Sequence, residues 1–150
     1  MAGRAAKEIY QMLRSRAREA ALQVLYQDDL NPQVSPVVGE SLLGERFPMS
    51  ELAEEARAQA MEFSRNLVAG VRGNRQQLDE RIARAAEHWS LDRMAATDRN
   101  VLRIGAYELL YTDTPPRVAI DEAVELAKRF GSGQSGPFVN GILDKLMHEK

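Results

Sequence analysis

The run Val101-Leu102-Arg103-Ile104-Gly105-Ala106-Tyr107-Glu108-Leu109-Leu110 leaves few polar positions, whichever side of a helix is considered. A helix that is apolar most of the way round has neighbours on most sides, which places it at the centre of a helical assembly. Gly105 costs about 1 kcal/mol of helix propensity against alanine. Its presence predicts a close approach between this helix and another. Ser90 or Thr97 is expected to supply the cap in front of the segment, and Thr114-Pro115-Pro116 stops it.

Outward from that centre the same periodicity recurs on both sides. Downstream, Val118-Ala119-Ile120 leads into Asp121 to Phe130, with acids at its start, bases at its end and Gly131 just beyond, all signals of helix boundaries. A last helix is expected to begin near Pro137 and to bury Val139, Ile142, Leu143 and Leu146. Upstream, Ser50 reads as an N-cap followed by Glu51, Glu54 and Glu55, and the apolar series Ala53, Ala56, Ala60, Phe63, Leu67 and Val71 runs to Gly73-Asn74. Asn74 with Gln77 predicts a capping box for a third helix that turns Leu78, Ile82 and Ala85 inward and ends at His88-Trp89-Ser90. No stretch alternates with period two for long enough to form a strand. The expected fold is all-α, a compact bundle of about six or seven helices. Residues 31–49, with Pro32, Pro36, Gly39, Gly44 and Pro48, break the pattern and read as a variable loop tacked down by Val37, Val38, Leu42, Leu43 and Phe47.

The first helix, Arg4 to Tyr26, sorts its residues onto faces. At about 100° per residue, Arg4, Lys7, Gln11, Arg14 and Arg18 share one stripe, while Ile9, Leu13, Ala17, Ala20 and Val24 line the opposite side. Residues 1–18 carry Arg4, Lys7, Arg14, Arg16 and Arg18 against Glu8 alone, a side-chain charge of +4 in a chain whose net charge is −2, so residues 19–150 net −6. Such separation points to a local anion-binding surface, with nucleic acid the commonest anion of that size. A solvated arginine-rich face accounts for the pattern equally well. Leu22 and Tyr26, one turn apart, project on the charged side and read either as an exposed protein contact or as a pair covered by the following loop.

At 150 residues and 44% hydrophobic, the chain is long enough for a genuine core and is expected to form a single domain, with a basic extension at residues 1–12. The absence of cysteine excludes disulfides, thiolate metal sites and cysteine nucleophiles. No apolar run approaches a membrane span or a signal peptide, so a cytoplasmic, membrane-free location is expected.

Several motifs carry less than they show. Gly131-Ser132-Gly133-Gln134-Ser135-Gly136 matches the dinucleotide fingerprint by letter, but that fingerprint follows a strand, and here a helix precedes it. No cofactor is expected. His88 and His148 lack carboxylates or a second histidine at ligand spacing, so neither a metal site nor a general base is expected. Asp121, Glu122 and Glu125 read as helix-start electrostatics rather than an acid–base pair. Phe138 is core by periodicity, yet its place at a helix N-terminus after a glycine-rich turn also suits an aromatic that stacks on a base.

The run Val118 to Gly131 followed by Phe138-Val139-Asn140-Gly141-Ile142-Leu143-Asp144 closely resembles the NusB family of bacterial transcription antitermination factors. The match extends upstream through Val101-Leu102-Arg103-Ile104 with Tyr107-Glu108-Leu109, Leu67-Val68-Ala69-Gly70-Val71, and Ala17-Arg18-Glu19-Ala20 to Leu25-Tyr26, in the same order. The resemblance implies a non-enzymatic, all-helical RNA-binding factor that pairs with the small-subunit ribosomal protein NusE, binds boxA-type single-stranded RNA, and joins the RNA polymerase antitermination complex in ribosomal RNA transcription. It implies RNA contacts for Arg14, Arg16, Arg18 and Phe138, to which the basic extension adds Arg4 and Lys7, and a NusE-binding surface that includes Tyr26 and Asp98, beside which Leu22 would fall. The rival readings are a protein–protein scaffold whose arginines are only solvated surface, and the front part of an RNA cytosine methyltransferase, which would need a separate methyl-donor domain. Where the family often has adjacent arginines this chain has Arg14-Ser15-Arg16, and its loop before Phe138 is uncharged.

Overall fold

The computed structural model describes residues 2–31, 54–87 and 89–149, and every side chain among them but those of residues 2 and 4–6. Among the described residues the elements are six α-helices and one 3₁₀ turn, with no strand: α1 (Ala2–Leu30), α2 (Glu54–Gly73), α3 (Arg75–Ala85), the turn Leu91–Arg93, α4 (Ala96–Tyr111), α5 (Pro116–Phe130) and α6 (Ser135–Glu149). The helices fall into two compact units, residues 1–68 and 69–150. The Ser50 cap, the loop residues from Pro32 to Pro48, Ala53 and His88 lie outside the described residues.

In the first unit α1 is a single helix of 29 residues, about 43 Å long at the usual rise. Leu13, Ala17, Ala20 and Val24 are buried as the periodicity requires. Burial does not stop there. Ala21, Leu22 and Leu25 are also within a few per cent of full burial, so from Ala17 to Leu25 the helix is enclosed on more than one side. Small side chains permit close approach to α2, where the buried Ser64 hydroxyl donates to the Ala17 carbonyl at 2.8 Å.

In the second unit α4 packs on α3, α5 and α6. Val101, Leu102, Ile104, Ala106 and Leu109 are all at most 1% exposed, which is the centre expected of so apolar a run. Gly105 makes the close approach it signals: a Cβ there would stand 2.6 Å from Leu143 Cδ1 on α6 and 3.0 Å from Ala123 Cβ on α5. Two charged residues are buried in the same helix. Arg103 gives Asp79 a two-pronged contact, Nε to Oδ1 at 2.8 Å and Nη2 to Oδ2 at 3.0 Å, and its Nη1 donates to Asn100 Oδ1 at 3.0 Å. Glu108 accepts from the Thr114 hydroxyl at 3.1 Å. Each is satisfied by hydrogen bonds, the condition on which a polar group can sit in a core.

Several boundaries differ from the sequence expectation. Asn74 forms no capping box; its amide reaches backwards and donates to the Gly70 carbonyl at 2.8 Å, satisfying the end of α2 rather than the start of α3. Neither Ser90 nor Thr97 caps α4, whose N-cap position is Ala95. Helix α5 starts at Pro116, so Asp121, Glu122 and Glu125 stand in its interior instead of its first turn. Pro115-Pro116 both ends one helix and opens the next, because proline's missing N–H is harmless at the first helical position. The close of α3 falls on Glu87 at φ 59°, a left-handed position usually taken by glycine, and its carboxylate accepts from Lys145 Nζ at 2.6 Å. That contact holds the Lys145 ammonium above its ordinary value.

Candidate nucleic-acid and partner interfaces

The basic face of α1 is only partly open. Lys7 and Arg16 are exposed, and Arg14 is half-buried. Arg18 is 3% exposed, its guanidinium 5.0 Å from the Phe63 ring centroid. Arg18 is thus not on an open basic face as the helical projection places it: the stripe runs into the packed part of α1 and turns its last arginine onto α2. The side chain of Arg4 lies outside the described residues. Arg14 also meets the ring of Phe63, at 4.1 Å from the centroid, and that of Tyr10, at 4.9 Å. Cation–π contact of this kind fixes a guanidinium while leaving its edge N–H groups able to donate.

Around Arg14 the surface sinks into a cleft of about 290 Å³, whose apolar floor includes the buried Leu13 and Ala60 and whose rim includes Tyr10, Gln59, Glu62 and Asn66. The sequence marked Arg14 as basic surface but gave no sign of this cleft, because much of its lining comes from α2.

The expected exposed pair on α1 is displaced by one turn. Tyr26 is 38% exposed, but Leu22 is 4% exposed and belongs to the core rather than to an exposed pair. Leu30, four residues beyond Tyr26, is 53% exposed. Ending the first helix at Tyr26 conceals this pairing; carrying it to Leu30 puts two large apolar side chains on one open face.

In the second unit, Asp98 lies in the first turn of α4, where the helix dipole favours a carboxylate. It is half-buried, and its Oδ1 is enclosed without a hydrogen-bond partner among the described residues.

Phe138 stands in the first turn of α6, neither fully buried nor fully exposed. A tight loop sets it there. Ser135, 1% exposed, accepts from the Ser132 amide at 2.9 Å, and the Gln134 amide donates to the Ser132 hydroxyl at 3.3 Å. Gly131 has no space for a Cβ, which would lie 2.7 Å from the Ala127 carbonyl. Helix α5 precedes this loop, so the glycine fingerprint lacks its strand. Lys128 is a residue that the sequence gave no reason to single out. Its stem lies beside Gly136, with Cγ 3.1 Å from where a Cβ would stand, and its exposed head is thus kept near the same end of α6 as Phe138.

No group of three metal-ligating side chains occurs among the described residues. His148 does have a carboxylate nearby, contrary to expectation: Nδ1 lies 2.8 Å from the Asp144 carbonyl and 3.8 Å from its Oδ2. One imidazole and one carboxylate fall short of a metal site. Among the described residues no helix is long and apolar enough to cross a membrane.

The NusB family model matches residues 15–148. The transcription antitermination protein NusB of Anaeromyxobacter sp. (strain Fw109-5) is 47% identical over 133 residues, 89% of this chain and 88% of that protein. Among solved structures, T. maritima NusB aligns with a TM-score of 0.75 at 40% identity over 91% of each chain. A chain from the crystal structure of the antitermination factors NusB and NusE in complex with dsRNA aligns with a TM-score of 0.78 at 26% identity, covering 93% of this chain and 98% of that one.

Proposed function

The chain belongs to the NusB family, and from that premise we propose that it acts as a non-enzymatic antitermination factor on boxA-type RNA, in a heterodimer with the ribosomal protein NusE, during ribosomal RNA transcription in the cytoplasm. The observation that carries this reading is the family match itself, which spans Arg16, Tyr26, Asp98 and Phe138 within residues 15–148. The similarity to a chain solved with NusE and RNA supports the choice of partners. RNA polymerase enters as the assembly into which the heterodimer delivers its RNA.

Arg16 and Lys7, both exposed, neutralise phosphates, joined by Arg4 and by Lys128 beside α6. Each phosphate so neutralised adds about 0.7 to the log–log salt slope of single-strand binding. Phe138 supplies a stacking face, and Tyr26, Leu30 and Asp98 supply the partner contacts. Stacking of an aromatic on a base is worth roughly 1–3 kcal/mol, so Phe138→Ala should weaken RNA binding about 5- to 150-fold. The test is anisotropy with a fluorescent boxA-type RNA in the presence of NusE. Wild-type affinity in a folded Phe138→Ala protein would refute the stacking role. The burial of Arg18 favours a second reading, in which part of the arginine stripe is structural and the chain is chiefly a scaffold; NusE binding without any RNA discrimination would select it.

A further inference from the structure

Phosphate contacts position an RNA but do not choose its sequence, and Phe138 can stack on any base. Selectivity needs a group that reads a base edge. The cleft on the first unit has the chemistry for it. Its lining combines a cation, Arg14, and an anion, Glu62, with the two carboxamides of Gln59 and Asn66 and the rings of Tyr10 and Phe63. Glu62, whose exposed carboxylate also pairs with Arg65 at 3.8 Å, puts a negative charge on the rim that disfavours a phosphate there, whereas a flat, neutral group with donors and acceptors on its edge matches both charges at once. At about 290 Å³ the cleft falls just below the range of drug-sized ligand pockets, roughly 300–1,000 Å³, a size for a single base rather than a larger ligand. Tyr10 is 40% exposed, so its ring is available as a stacking surface. The contacts of Arg14 with both rings hold the guanidinium in the wall of the cleft instead of leaving it free to track the backbone.

We propose that this cleft receives one unstacked guanine of the bound RNA, with Tyr10 as the stacking platform, Arg14 donating to the base's N7/O6 edge, and Glu62 accepting from its N–H edge. Arginine's fork fits the two acceptors of guanine, and guanine alone among the four bases adds to them an edge with two donors that a carboxylate can accept. Gln59 and Asn66, able to donate and accept, complete the edge. This assignment rests on the RNA-binding reading above and adds to it the residues that make the binding selective.

The experiment is a set of boxA-type RNAs in which one nucleotide at a time is made abasic, titrated against the full chain with NusE. Wild type is compared with Tyr10→Leu, with Gln59→Leu and, as a phosphate-contact control, with Arg16→Ala. Removal of one guanine should weaken wild-type binding about 5- to 150-fold, the range for a stacked base. Tyr10→Leu and Gln59→Leu should bind the intact RNA more weakly and lose most of their sensitivity at that position alone, with salt slopes unchanged. Arg16→Ala should lower the salt slope and keep the abasic profile of wild type. Abasic profiles of both cleft variants identical to wild type, with the wild type binding RNA, would overturn the cleft and leave the antitermination reading standing. A wild type that binds no RNA even with NusE would overturn both. Tyr10 and Gln59 are exposed, and a thermal melt verifies that each variant is folded; should Tyr10→Leu fail to fold, the Gln59→Leu profile decides between these outcomes.

Discussion

Two glycines in the second unit should respond in opposite directions to the same change. Gly105 lies inside α4 and Gly141 inside α6, so alanine gains each helix about 1 kcal/mol of propensity. At Gly141 that is the whole effect, because nothing lies within 4 Å of the added Cβ and the position is exposed. At Gly105 the methyl would meet Leu143 Cδ1 at 2.6 Å and Ala123 Cβ at 3.0 Å. Leu143 is fully buried and Ala123 is 2% exposed, so neither has solvent to retreat into. Overpacking of this kind costs about 1–3 kcal/mol, which exceeds the propensity gain over most of that range. Gly141→Ala should therefore stabilise by about 1 kcal/mol, and Gly105→Ala should destabilise by up to about 2 kcal/mol. Urea denaturation followed by far-UV circular dichroism reads both, with m-values unchanged if only stability moves. For a chain of this size each kcal/mol corresponds to about 2–4 °C in Tm. If Gly105→Ala raises stability as much as Gly141→Ala, the close approach of α4 to α5 and α6 is not what requires the glycine.

Asp79→Ala should cost about 3 kcal/mol, the lower end for breaking a buried pair, because Arg103 is buried while Asp79 keeps 29% of its side chain exposed; chemical denaturation measures it. Deleting residues 1–8 removes Arg4 and Lys7 and should flatten the salt slope of RNA binding by up to about 1.4, as read by titration at several salt concentrations; an unchanged slope would exclude the extension from the RNA surface. The hydrogen bond to Glu87 raises the Lys145 pKa above 10.5, so the contact stabilises the fold below that pH and fades as pH rises through the raised value. Lys145→Met should accordingly have a slightly lower urea midpoint than wild type at neutral pH, with the gap closing in strong alkali. High salt should also narrow it, since both groups are exposed.

The core of the second unit was legible because hydrophobic density is a local property. Val101 to Leu110 carries its own evidence of centrality, and Gly105 announced a contact that the fold provides. What failed was whatever depended on a neighbour. Leu22 lies on the polar side of a helical projection, yet α1 is enclosed on more than one side at that level, and a projection cannot count the partners of a helix. Arg18 belongs to a basic stripe by angle and to the packed interior by its contact with Phe63 on the next helix. Asn74 could bond forwards or backwards from between two helices, and the Gly70 carbonyl at the end of α2 drew it backwards. Asp121 and Glu122 imitate a helix start by charge alone, whereas the true start is the proline at Pro116, which joins Val118-Ala119-Ile120 to the same helix. The cleft was illegible for the same reason as Leu22: Tyr10 and Arg14 meet Gln59 and Phe63 only once α1 and α2 have packed.

The most direct test of the account is a titration of fluorescent boxA-type RNA with this chain, alone and with NusE, against a scrambled RNA of equal length and composition. Salt-sensitive binding that NusE strengthens and scrambling weakens is the predicted result. Equal affinity for the two RNAs with NusE present would contradict the assignment of sequence-selective RNA recognition to this chain.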